Sequence, residues 1–113
     1  MDMLLKAFEL DKGNLYPVKN YGIAHVYNYW GDYEKAYNQM QLAVSPGMIW
    51  YEMHSAISAA GMKDETLTAK HFDAVKTIIG SNKIKDVKGH FDRWHIPQYW
   101  EMSKDILVQN GFE

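Results

Sequence analysis

The chain of 113 residues contains no cysteine. That excludes disulfide bridges, thiolate metal sites and cysteine nucleophiles, and it suits a reducing compartment, so a cytoplasmic protein is expected. Glycine occurs singly and nowhere builds a phosphate-cradling loop. No run approaches 18 uninterrupted apolar residues, so no membrane span is expected. The first ten residues carry acids at Asp2 and Glu9 around the short apolar run Met3-Leu4-Leu5. They lack the basic start and longer apolar stretch of a secretory signal. Neither sign of charge dominates: 12 Lys and Arg against 14 Asp and Glu leave a net charge of -2. There is no global drive towards nucleic acid or acidic membranes.

Catalytic and metal signatures are also missing. No serine sits in a GxSxG context, and the five histidines include no HExxH and no pair four apart on one helix. Glu52 and His54 stand two apart, which on a helix assigns them to different faces, and the carboxylate reads as solvated surface charge. These absences favour a non-enzyme without metal or cofactor. A histidine-dependent haem or metal protein built from His54, His90 or His95 is a distant alternative.

What the chain does contain is punctuation. Asp2 to Leu10 reads as a short helix. Lys12-Gly13-Asn14 breaks it, and Pro17 sets Leu15 to Val18 as extended. Gly31-Asp32 interrupts residues 20–44, which read as two helices, about 20–30 and 32–44, or as one with a kink; Asp32 can cap the second, with Tyr33, Tyr37, Met40 and Val44 facing its core. Ser45-Pro46-Gly47 starts a helix that Gly61 stops. Its buried stripe is Ile49, Met53, Ala56, Ile57 and Ala60. A polar connection, Met62 to Leu67, follows.

From Thr68 to Gly111 the grammar is clearest. Thr68 caps a helix that Gly80 ends, with Phe72, Val75, Ile78 and Ile79 inward. Ser81 caps the next, with Ile84, Val87, Phe91 and Trp94 on one stripe. Pro97 starts the last, which Gly111 stops. The expected fold is all-α: one domain, an irregular bundle of five or six short helices with a C-terminal trihelical unit.

Two surfaces stand out. Residues 16–37 hold six tyrosines (Tyr16, Tyr21, Tyr27, Tyr29, Tyr33, Tyr37) and Trp30, more than two helices bury easily. Exposed Tyr and Trp anchor protein interfaces, since they offer large contact area at small entropy cost. Only Lys19 and Lys35 accompany them, so the electrostatics point to a protein partner. The leading expectation is a non-enzymatic binding module, an adaptor, inhibitor or assembly subunit, contacting its partner through Tyr27, Tyr29, Trp30 and Tyr33.

The second surface is basic. Between Lys70 and His95 six Lys and Arg face three Asp, a local net of +3. Two helices joined at Gly80-Ser81 would make a helix-turn-helix whose second member offers Lys83, Lys85, Lys88, His90 and Arg93 to phosphates. The run Phe91-Asp92-Arg93-Trp94-His95-Ile96-Pro97-Gln98-Tyr99-Trp100 resembles the end of the DNA-binding domain of phage repressor proteins. There a recognition helix is often followed by Ile-Pro and an aromatic pair. The resemblance spans about ten residues, and only one helix fits between Gly80 and Pro97 where that family has two. It implies a small DNA-binding protein as the alternative reading.

Overall fold

A computed structural model of the chain describes residues 17–43, 47–93 and 96–113. The helix expected at 2–10, the start at Ser45-Pro46, and the placements of Val44, Trp94 and His95 lie outside these residues. Among the described residues there are six helices and no strand, the all-α bundle of short helices that the punctuation predicts. They are α1 (Pro17–Tyr29), α2 (Tyr33–Ala43), α3 (Ile49–Gly61), α4 (Glu65–Ile79), α5 (Ile84–Arg93) and α6 (Pro97–Gln109).

Several boundaries differ from the sequence reading, each for a local reason. Pro17 and Val18 belong to α1 rather than to an extended stretch. Proline restricts the residue before it but is itself pre-organised for the first helical position. Helix α3 begins after Met48, which has extended dihedrals and no side-chain cap bond. Gly47, at φ +87°, stands outside it. Helix α4 starts three residues before Thr68, because Asp64 is the cap: its carboxylate accepts the Leu67 N–H at 3.1 Å. Thr68 instead donates back to the Asp64 carbonyl at 2.7 Å.

The glycine stops divide into two kinds. Gly31, Gly80 and Gly111 all have positive φ and sit just past helix ends. At Gly31 the Asp32 N–H returns to the Tyr27 carbonyl and the Gly31 N–H to the Asn28 carbonyl, the paired bonds of a Schellman turn. Gly61 does not stop α3. It is the last residue inside the helix, and a Cβ there would overlap the Tyr33 ring. The same Schellman pairing falls two residues later, with Lys63 in the left-handed conformation.

The largest departure concerns α3. Every residue from Trp50 to Ala59 is buried, not one stripe. Helices α1, α2, α4 and α6 all pack against α3, so its Glu52, His54, Ser55 and Ser58 lie inside with the apolar residues. The outer ends of its expected stripe, Ile49 and Ala60, are only half-buried.

One apolar cluster joins Trp50, Met53 and Ile57 of α3 to Phe72 and Val75 of α4, Val87 and Phe91 of α5, and Tyr99, Trp100 and Leu107 of α6. The three C-terminal helices thus meet over one core that α3 closes. A smaller cluster gathers Ala24, Ala36, Met40 and Tyr51. Here Ala36 takes the core position, while Tyr33 and Tyr37 are half-buried. Ile78, expected inward, is exposed.

Candidate functional site

The corner between α1 and α2 carries the exposed aromatic side chains. Tyr29 is 48% exposed and Trp30 is 57% exposed. Both stand at the end of α1, where the Gly31 turn fixes the backbone. Tyr27 and Tyr33 are half-buried. The Lys35 ammonium lies 5.9 Å from the centre of the Tyr27 ring. The Tyr33 ring packs on Gly61, so it supports the corner from behind. An open groove of about 470 Å³ runs alongside, lined in part by Asp32, Tyr33, Glu34, Lys35, Asn38 and Met62. Asp32 and Glu34 are exposed, and neither forms an ion pair among the described residues.

Beneath this corner lies a buried polar network. Asn28 of α1, His54 and Ser58 of α3 and Tyr99 of α6 are all buried. Asn28 Nδ2 donates to the Tyr99 hydroxyl at 3.0 Å and to the His54 carbonyl at 3.2 Å. Ser58 Oγ lies 2.7 Å from Asn28 Oδ1 and 2.8 Å from the His54 carbonyl, with one proton to serve both. Tyr99 and His54 Nδ1 meet at 2.8 Å. Burial, helped by neighbouring His25, pushes the His54 pKa down to about 3. The ring is therefore neutral at pH 7. With its own oxygen already accepting from Asn28, Tyr99 donates its proton to Nδ1, which places the His54 proton on Nε2. This network pins α1, α3 and α6 in one register.

A second network crosses α2, α3 and α4. Tyr37 Oη and His71 Nε2 are 3.0 Å apart, and His71 Nδ1 is 3.3 Å from Glu52 Oε1. His71 and Glu52 are buried, whereas Tyr37 is half-buried. Burial lowers the His71 pKa against the opposing pull of Glu52. Neutral His71 then donates from Nδ1 to the carboxylate and accepts the Tyr37 proton at Nε2. Burial also raises the Tyr37 pKa, with Tyr51, Asp64 and Glu52 adding to the effect.

These groups escape a reading by helical stripes. Glu52 is the one charged residue in α3, and that scarcity of charge is the sequence signal of a helix buried all round. The expectation that Glu52 is solvated surface charge is overturned by its 6% exposure.

The basic residues lie on and just before α5. Lys83, Lys85, Lys88 and Arg93 are exposed and His90 is half-buried. Lys83 pairs with Glu113 at 3.0 Å and Lys88 with Asp92 at 3.1 Å. Helix α4 packs chiefly on α3 and α5 on α6, so α4 and α5 share little contact. Among the described residues no three His, Asp or Glu side chains converge as a metal site requires, and no helix is long and apolar enough to cross a membrane. No known family model, curated protein or solved structure matches this chain.

Proposed function

We propose that this chain is a non-enzymatic binding module that docks on a protein partner through the α1–α2 corner. Trp30 and Tyr29 are the anchors, and Tyr27 and Tyr33 hold the corner rigid. The observation that carries this reading is the exposure of an indole and a phenol side by side at the end of a helix whose backbone is already fixed. Anchors that need little ordering lose little entropy on binding. Asp32 and Glu34 outnumber Lys35 in lining the groove, and their carboxylates repel a phosphate backbone, which favours protein over nucleic acid. A chain without cysteine suits a reducing, cytoplasmic setting for this role.

The test is site-specific photo-crosslinking in native extract. A benzoylphenylalanine at position 30 is expected to capture a discrete protein, and one at exposed Val108 is not. With the crosslinker moved to exposed position 34 beside the groove, Trp30→Ala is expected to weaken that complex by about 2 kcal/mol or more, roughly thirtyfold. Equal capture from both positions, or adducts that vanish with nuclease, would refute the reading.

A further inference from the structure

We propose that Tyr37 is a redox-active tyrosine: a one-electron oxidant from solution, a high-valent metal complex that is reduced by one unit, takes its electron while its phenolic proton passes to His71 Nε2, and Glu52 holds the resulting imidazolium. The step balances. The oxidant gains one electron, the Tyr37 O–H bond breaks, an Nε2–H bond forms, and the product is a neutral phenoxyl radical beside an imidazolium–carboxylate pair. A one-electron reductant such as a thiolate or ascorbate reverses it, and the proton returns to oxygen.

The geometry supplies each requirement. The phenol and its acceptor are already in hydrogen-bond contact at 3.0 Å. The carboxylate 3.3 Å from Nδ1 fixes the tautomer that leaves Nε2 open to a proton. Before the step, Glu52 is a buried carboxylate whose nearest partner is uncharged. After it, the same carboxylate faces a cation, so oxidation converts a poorly compensated buried charge into a pair. Lys70 opposes the imidazolium, and Tyr51 and Asp64 also bear on this cluster. Tyr37 is only half-buried, which admits an oxidant to the ring, while His71 and Glu52 are sealed inside, which keeps the proton from bulk water.

A second pair in the same fold shows what the carboxylate adds. Tyr99 touches His54 at 2.8 Å, a shorter contact. No carboxylate pairs with His54 among the described residues. Moving a proton to His54 would leave a lone cation in the core. Two tyrosine–histidine bonds of similar geometry thus differ in the third group, and also in exposure, Tyr99 being buried and Tyr37 only half-buried.

The experiment oxidises the full chain with photogenerated tris(bipyridine)ruthenium(III) and follows the tyrosyl radical by transient absorption and electron paramagnetic resonance. The parent is expected to give a persistent neutral tyrosyl radical, formed more slowly in D2O. Tyr37→Phe, which removes one oxygen and keeps the ring, is expected to abolish it. Glu52→Gln is expected to cut its yield at least about tenfold, because the imidazolium then lacks its carboxylate. Tyr99→Phe and Tyr29→Phe are expected to retain it. Circular dichroism checks that each variant is folded. Should Glu52→Gln fail to fold, the Tyr37→Phe result and the isotope effect decide. A persistent radical undiminished in Tyr37→Phe or in folded Glu52→Gln, or formation at equal rates in both solvents, would overturn the proposal.

Discussion

Acid should destabilise this protein through His54. The ring is wholly enclosed, and its pKa falls from an ordinary value of 6.5 to about 3 in the fold. Between those two values the unfolded chain binds a proton at this site that the folded chain refuses. Stability therefore rises with pH from about 3 to 6.5 and is flat in this contribution above that range. The slope is about 1.4 kcal/mol per pH unit, so lowering the pH from 7 to 5 costs about 2 kcal/mol from His54. That is a large share of the roughly 5–15 kcal/mol by which domains are stable. The assay is urea unfolding at pH 7 and pH 5, followed by circular dichroism. His25 and His71 are also shifted downward by burial and add to the loss in the parent. The informative quantity is thus the difference between parent and His54→Gln, expected to be about 2 kcal/mol smaller in its acid loss. Tyr99→Phe should keep most of the acid loss, because burial rather than the hydroxyl is the main cause. Identical acid losses in parent and His54→Gln would refute the reasoning.

Further predictions concern the helix ends. Gly61→Ala removes the flexibility cost of glycine, worth about 1 kcal/mol in a helix interior. It also drives a methyl group into the Tyr33 ring, and overpacking of that kind costs about 1–3 kcal/mol. The expected outcome in urea unfolding is a net loss, reversed to a gain when Tyr33→Ala is combined with it. Asp64→Ala should cost about 1 kcal/mol, the usual loss for an N-cap, whereas Ser81 lies outside α4 and its replacement should leave the Asp64 loss unchanged.

The docking reading rests on Tyr29 and Trp30 at the end of α1 and the redox reading on the Glu52–His71–Tyr37 chain, so the two can fail separately. Tyr37→Phe leaves Trp30 and Tyr29 in place, so it should not alter capture from position 30. Trp30→Ala leaves the Glu52–His71–Tyr37 chain intact, so the radical should persist in that variant.

What the chain's own composition and order determined is the set of rods. Proline at a first helical position and glycine in the left-handed region act through backbone sterics within a few residues. The starts at Pro97 and the stops at Gly31, Gly80 and Gly111 were therefore legible without any partner helix. So was the surplus of tyrosine and tryptophan before residue 40, of which Tyr29 and Trp30 stand exposed. Only the tertiary structure decided that α3 is surrounded, and with it the burial of Glu52, His54 and Ser58. Helical periodicity assigns each side chain a direction but not a neighbour. The partners Asn28 to Tyr99 and Glu52 to His71 are 71 and 19 residues apart in sequence. Gly61 shows the same limit: its signal reads as a stop, and the ring of Tyr33, brought from another helix, makes it a packing position instead.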